Sequence, residues 1–236
     1  MSFAQDTLLV FDRPGIAESP YISAENSTQF ELGTSFMEKT GIESFLFPSV
    51  MGRKYIGVQS EIRMTLNYTP QMMTIILGNE RLNYDPIAFG IKRKLWNEWQ
   101  WIPETAVLLN VFTPIQQLGN LFLIKNVNWE LNFLFQQSLN KRFSVNYNFG
   151  YLTSEFSKDV VSTSLCLNFN LIDKIGLFAE VFTYNPLKDQ GELGVDLGCT
   201  YSLGKYSQID LSLINNNYKS NDYLSCSIGY AYKFKR

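Results

Sequence analysis

The feature that most constrains this chain is a two-residue alternation of apolar and polar side chains, which recurs in run after run. Between residues 193 and 203 the apolar side chains stand at odd positions and small or polar ones at even positions. Residues 223–235 alternate in the same way. Successive side chains of a strand point to opposite faces of a sheet, so each run predicts a strand with one apolar face. Helical spacing fits none of these runs.

The runs are long, at about nine to twelve residues, whereas strands of globular proteins average about five or six and a strand tilted across a bilayer needs about 9–11. Single-chain outer-membrane barrels of bacteria have an even number of such strands. We predict twelve strands, at residues 28–38, 44–53, 57–68, 87–95, 103–113, 126–137, 142–153, 160–170, 174–184, 192–203, 207–215 and 223–235.

The two faces of these strands differ in a way that indicates which one meets lipid. The polar faces are rich in Gly, Ser, Asn and Thr, and only 18% of all residues are charged, against about 25% in soluble domains. We therefore predict an all-β fold, a transmembrane antiparallel up-and-down β-barrel with its apolar side chains outside. A soluble lipocalin-like carrier is the alternative, and it requires Phe149, Leu197 and Tyr230 inside with Asn148 and Asp196 in water.

The lengths of the connections predict how the barrel is oriented. The links after strands 6, 8 and 10 are short, and those after strands 3, 5, 7, 9 and 11 are longer. Outer-membrane barrels have short periplasmic turns and long external loops, so we expect a bacterial outer-membrane protein with both termini in the periplasm. Outer-membrane lipid is then its first partner. The apolar run 72–77 in one long link is either a docking edge for other outer-membrane proteins or an extension of strands 3 and 4.

The composition excludes several classes of function. The chain has no His, which removes Ser-His and Cys-His nucleophile pairs, His-ligated metals and His-based acid–base catalysis. Its formal charge of −2 does not indicate a nucleic-acid partner. We expect no catalytic residue, no cofactor and no metal site, and therefore no enzyme.

The N-terminal residues 1–27 form a separate segment ahead of the barrel, which we place at 28–236. Met1–Ala4 has the small residues that end a cleavable signal peptide, and Pro14 and Pro20 disfavour regular structure. One hypothesis is that residues 5–27 fold into the periplasmic mouth as a plug, with Arg13 paired to an inward acid such as Glu31. The other is a leader that only connects to strand 1.

The ionisable residues on the polar faces are the candidates for lining the lumen. They comprise five acids and four bases, a balance that favours salt bridges across a narrow interior over a ring of one sign. A path for an ion or ligand through the same residues is the alternative. The candidates are Glu31, Glu61, Arg63, Lys92, Lys94, Glu130, Glu180, Asp196 and Lys233.

Several short segments carry a resemblance to a known family. They are residues 11–15, 18–20, 28–33, 89–92 and 103–106, and the first two supply an N-terminal motif of Asp12, Arg13, Pro14 and Glu18. In these segments the chain resembles the outer-membrane β-barrel family described as "putative MetA-pathway of phenol degradation" transporters. The family usually has a glycine-rich approach where this chain has 83–86, and a terminal aromatic residue where this chain ends in Lys235-Arg236.

The resemblance implies an outer-membrane location more firmly than a cargo, and it implies a channel or transporter for a small solute, with a hydrophobic or aromatic solute as one candidate class. It does not name that solute. The alternative function is a non-conducting accessory or structural barrel within a larger outer-membrane complex.

Overall fold

The computed structural model describes residues 11–39, 42–67, 83–118, 121–124, 127–153, 159–187, 191–217 and 223–235. Among these residues the regular structure is entirely β. The strands are β1 Ser27–Lys39, β2 Ile42–Gly57, β3 Ser60–Asn67, β4 Asn83–Trp96, β5 Glu104–Leu118, β6 Leu121–Ile124, β7 Asn128–Ser138, β8 Phe143–Leu152, β9 Val160–Ile172, β10 Ile175–Pro186, β11 Glu192–Ser202, β12 Ser207–Asn217 and β13 Tyr223–Lys235.

Twelve of these strands close into one antiparallel barrel, which confirms the predicted fold. Each strand pairs with the next in the chain, and β1 closes the barrel by pairing with β13 from Ser27↔Lys235 to Lys39↔Tyr223. The exception is the short β6, which pairs with the end of β5, while the first part of β5 pairs with β7. Strand β6 therefore extends a hairpin with β5 and is not a thirteenth strand of the barrel wall.

The side chains face the way that a membrane barrel requires. The outward Phe149 and Leu197 are 53% and 55% exposed, and Tyr230 is also exposed. On the neighbouring inward positions Asn148 is buried and Asp196 has no exposed surface. The prediction of an apolar exterior is thus confirmed, and the lipocalin alternative is wrong.

The interior is filled mainly by polar residues, with a few apolar side chains among them. Phe178 and Phe182 point inward from β10, and their rings lie over Gly198 and Gly194 of β11 in the cross-strand register. A Cβ on either glycine would collide with the ring, so the small residues of the inner face make room for the large ones.

One end of the barrel is formed by the short turns and by the longer link 97–103. The start of β1, the end of β13 and the turns 58–59, 139–142, 173–174 and 203–206 lie at one end. The segment 72–77 and Met1–Ala4 lie outside the described residues. None of the described residues belongs to a helix that is long and apolar enough to span a membrane.

Candidate functional site

Three basic residues lie side by side on the inner face of β2, β3 and β4. Arg53 and Arg63 are direct cross-strand partners, and Lys92 lies opposite Glu61 on the next pair of strands. All three are buried. Like charges directly opposite each other destabilise a sheet, and buried charges need partners, so this wall requires nearby acids.

The barrel itself supplies two of these acids. Glu31 of β1 and Glu61 of β3 pair with Arg53 at 3.0 Å (Nη1–Oε1) and 3.1 Å (Nε–Oε1). Glu61 also accepts a hydrogen bond from Arg63 Nη2 at 2.8 Å. Two carboxylates leave three cations incompletely compensated.

The N-terminal segment, residues 11–26, supplies the other two acids. The Oδ2 atom of Asp12 lies 3.1 Å from Arg53 Nη1, 2.6 Å from Arg63 Nη2 and 3.0 Å from Lys92 Nζ. Glu18 pairs with Arg63 at 2.6 Å (Nη1–Oε2). We call Asp12, Glu18, Glu31, Arg53, Glu61, Arg63 and Lys92 the ionic cluster.

The electrostatics of Asp12 show how strongly the cluster favours an ionised carboxylate. Burial by itself would raise the pKa of Asp12, but the charges of Arg53, Lys92 and Arg63 outweigh burial and hold its pKa well below the ordinary value. The cluster therefore favours the ionised form of Asp12.

Backbone groups of the N-terminal segment also bind the barrel wall. The Arg13 N–H donates to Glu31 Oε2 at 3.1 Å, the Ile16 N–H donates to Glu180 Oε2 at 2.9 Å, and the Ser23 N–H donates to Glu61 Oε2 at 2.6 Å. In the other direction, Lys92 Nζ donates to the Ser19 carbonyl at 2.8 Å. The segment is thus held through its backbone as well as its carboxylates.

The Arg13 side chain reaches the seam at which the barrel closes. Its guanidinium lies 3.4 Å from Asp210 Oδ1 on β12 and donates to Ser49 Oγ at 3.3 Å. It rests against Gly33 and Gly229, which are cross-strand partners on β1 and β13. A Cβ on either glycine would collide with Arg13, so the absence of side chains there creates its seat.

Tyr21 forms a further contact near the end of the segment. Gln136 Nε2 donates to the Tyr21 hydroxyl at 2.8 Å, and Lys94 Nζ lies 5.8 Å from the centre of the ring. Burial, followed by the charges of Glu104 and Glu98, raises the pKa of Tyr21 to about 12. Lys94 forms an ion pair with Glu104.

The opposite side of the lumen holds a cavity. Its volume is about 490 Å³, and it lies between the N-terminal segment and the inner faces of β7–β10. We call it the polar cavity, and it is lined by Gly15, Ile16, Glu18, Glu130, Asn132, Asn148, Ser162, Thr163, Ser164 and Tyr184.

The comparison with protein families gives one match, which spans residues 11–234 and therefore includes the docked segment as well as the barrel. The matching family is described as "Putative MetA-pathway of phenol degradation". The chain belongs to this family. No curated protein matches the sequence of this phenol-degradation family member.

Solved structures similar to this family member are outer-membrane barrels. The CymD monoaromatic hydrocarbon channel is 9% identical, with 90% of each chain covered and a TM-score of 0.58. The KdgM porin in complex with disordered oligogalacturonate is 5% identical, with 86% of this chain and 99% of the porin covered and a TM-score of 0.62. An outer membrane channel from Pseudomonas putida F1 is 9% identical, with 94% and 99% covered and a TM-score of 0.62. At these identities the likeness concerns the fold.

The structure of this phenol-degradation family member brings only some of the nine lumen candidates together. Glu31, Glu61, Arg63 and Lys92 meet in the ionic cluster, whereas Lys94 pairs separately. The other four are located elsewhere: Glu130 lines the polar cavity, Glu180 and Asp196 are cross-strand partners on β10 and β11, and Lys233 lies opposite Gln29 near one end of the barrel.

The predicted lumen-lining residues do not include Arg53 and Asp210, which are central to the geometry. The plug hypothesis also pairs the Arg13 side chain with an acid such as Glu31, which is not its partner in the structure. Arg53 is the last residue of the predicted second strand, at residues 44–53. Asp210 lies between the apolar Ile209 and Leu211, so the alternation could have placed it on the polar face. The Glu31 carboxylate forms an ion pair with Arg53 and accepts a hydrogen bond from the Arg13 backbone N–H. The Arg13 guanidinium pairs with Asp210 and not with Glu31.

Proposed function

We propose that the protein is a bacterial outer-membrane channel for small solutes whose lumen is narrowed by its own N-terminal segment. The observation that carries this proposal is the polar cavity of about 490 Å³ inside a barrel with an apolar exterior. A filled structural barrel has no need of such a space, and hydrated lumens are typical of porin-type barrels. The similar structures support the proposal because they are named as channels and porins, whereas the accessory-barrel alternative has no support among them.

The proposal extends to location and orientation. The fold of the neighbours supports a bacterial outer membrane, with outer-membrane lipid around the exterior. We propose that both termini and the short turns face the periplasm. An epitope inserted between Asn140 and Lys141 is then expected to bind antibody only after the outer membrane is permeabilised. Antibody binding to intact cells would show that the protein has the opposite orientation.

We further propose that the predicted segment 1–27 acts as a plug through its described part, 11–26. Its support is the set of contacts to Asp12, Glu18 and Arg13, which connect the segment to β1, β2, β3, β4 and β12. No step of this function requires a reacting group, so the proposal is for a protein without enzymatic activity.

The experiment is conductance in planar bilayers, with the full chain compared with a chain that lacks residues 5–20. We expect small currents from the full chain and currents several-fold larger from the deletion, because the deletion removes Asp12, Arg13 and Glu18. Heat-modifiable migration on gels controls for folding of both barrels. Equal currents from both chains would contradict the plug, and no current from either would contradict the channel.

A further inference from the structure

The chemistry of the polar cavity identifies the class of solute that it fits. Its wall on one side is the N-terminal segment, and on the other side the inner faces of β7, β8, β9 and β10. Amide and hydroxyl groups dominate this wall, and they come from Asn132, Asn148, Ser162 and Ser164. Such groups both donate and accept hydrogen bonds, so they match a solute that does the same.

Asn148 is an independent indication that a ligand belongs in this cavity. Its side chain is only 8% exposed, and its Oδ1 atom has no hydrogen-bond partner among the described residues. A buried acceptor without a donor costs about 1–3 kcal/mol. A solute hydroxyl in the cavity is a suitable donor for this atom.

The charges on the wall exclude anionic solutes. None of the described residues that line the polar cavity is basic, and two of them, Glu18 and Glu130, are acidic. Glu18 is paired with Arg63, whereas Glu130 accepts hydrogen bonds from neutral amides, from Asn110 Nδ2 at 3.1 Å and from Asn132. The negative charge that faces the cavity is therefore incompletely compensated.

The same wall is unfavourable for a solute without hydroxyl groups. Only Ile16 and the ring of Tyr184 offer substantial apolar surface among the lining residues. A hydrocarbon would cover amides, hydroxyls and carboxylates without replacing their hydrogen bonds to water, and each group left in that state costs free energy.

We infer that the polar cavity is the selective part of the channel and that it takes small, non-anionic solutes carrying several hydroxyl groups. The inference rests on the proposed channel function and adds the solute class to it. The volume of about 490 Å³ lies within the range of about 300–1,000 Å³ that is typical of small-molecule sites.

The test is the swelling of proteoliposomes that contain the full chain, in isosmotic sorbitol, potassium gluconate or glucosamine hydrochloride. These probes share a carbon skeleton of similar size and differ in charge. We expect sorbitol to enter about three- to tenfold faster than gluconate, because an uncompensated carboxylate repels an anion by roughly 1 kcal/mol. Glucosamine is expected to enter at least as fast as sorbitol, and entry of gluconate at the rate of sorbitol or faster would overturn the inference.

Two variants on one strand separate binding from folding. Asn148→Leu removes the unpartnered amide from the cavity, whereas Asn146→Leu removes an equally buried inward amide of β8 that does not line it. We expect Asn148→Leu to slow sorbitol entry about threefold, the effect of one hydrogen bond, and Asn146→Leu to leave it unchanged. Equal effects of the two variants would contradict the role of Asn148.

Conductance distinguishes the failure of this inference from the failure of the proposed function. Ion currents through the full chain together with equal entry of sorbitol and gluconate, or no entry of sorbitol, would overturn the solute class and leave the channel intact. The absence of both current and swelling, in the full chain and in the chain lacking residues 5–20, would overturn the channel itself.

Discussion

The two sides of the lumen are built on the same strand pattern and yet differ in what they do. On β1–β4 the inward positions carry Glu31, Arg53, Glu61, Arg63 and Lys92, which bind the N-terminal segment through ion pairs. On β7–β9 the inward positions carry amides and hydroxyls, and a cavity remains between them and the segment. The alternation of apolar and polar residues therefore determines the barrel, whereas the kind of polar residue determines whether the lumen is filled or open.

The largest effect is expected from removing the central cation of the ionic cluster. Arg53→Met leaves Glu31, Glu61 and Asp12 without their shared partner, and breaking a buried ion pair from one side costs about 3–5 kcal/mol. We expect a large loss of stability in urea unfolding from lipid vesicles and larger single-channel currents. Lys54→Met, at the adjacent exposed position, is the control and should change neither. An unchanged urea midpoint in Arg53→Met would show that the cluster contributes nothing to stability.

A smaller effect is expected from filling the seat of Arg13. In Gly33→Ala the new Cβ meets the Arg13 guanidinium, which must leave Asp210. Overpacking of this kind costs about 1–3 kcal/mol. The measurement is maleimide labelling of an Ala17→Cys reporter in a chain whose three native cysteines are replaced by Ser, with faster labelling expected.

The matched control for this variant is Gly52→Ala. There the nearest atom to the new Cβ is a carbon of the Phe30 ring at 3.5 Å, an ordinary contact on the other face of the sheet. Labelling at the rate of the parent chain is expected. Equal labelling of both glycine variants would mean that Arg13 does not fix the segment.

Acid is expected to have little effect on the contribution of Asp12. A group whose pKa is lowered by folding contributes stability above its ordinary pKa, and this contribution disappears only as the pH falls through the folded value. For Asp12 the folded value lies well below 3.8. The contribution of Asp12, measured as the ratio of the currents through Asp12→Asn and the parent chain, should therefore stay constant between about pH 7 and pH 5, a range above both values. An increase in current over that range, absent from Asp12→Asn, would contradict this assignment.

A small effect is expected at Tyr21. Folding raises its pKa from 10.0 to about 12, so its contribution is complete below pH 10 and is lost as the pH rises toward 12. Maleimide labelling of the Ala17→Cys reporter is carried out at each alkaline pH, and each aliquot is quenched before it is returned to neutral pH. Tyr21→Phe should remove this alkaline step and lose the hydrogen bond from Gln136, worth about 0.5–1.5 kcal/mol. An identical alkaline response in Tyr21→Phe would assign the step to another group.

The fold could be predicted from the sequence because a two-residue period has only one geometric meaning. Strand β11, for example, alternates without interruption, and its face assignment follows from Leu197 and Asp196 alone. The short β6 escaped prediction because four apolar residues in succession show no alternation. Strand β6 pairs with the end of β5, beyond the residues of β5 that pair with β7. At that position the sequence does not need the alternation of a strand that faces lipid on one side.

The site was less predictable, because the pattern gives the face of a residue but not its height or its partner. Lys92 and Lys94 are successive inward positions of β4, yet Lys92 forms an ion pair with Asp12 and Lys94 forms one with Glu104. Which acid meets which base depends on register and on the path of residues 11–26, and neither follows from alternation. The link between Arg13 and Asp210 spans 197 positions in the chain and could be found only from coordinates.

The seat of Arg13 has a consequence for how the barrel is made. One residue near the start of the chain touches β1, β12 and β13, so its contacts are complete only when the last strands have joined the first. Arg13 therefore cannot complete these contacts until β12 and β13 have joined β1. Docking of this arginine is thus coupled to closure of the barrel, and a chain truncated before β12 would lack the Arg13–Asp210 ion pair while keeping the contacts of the segment to β1–β4.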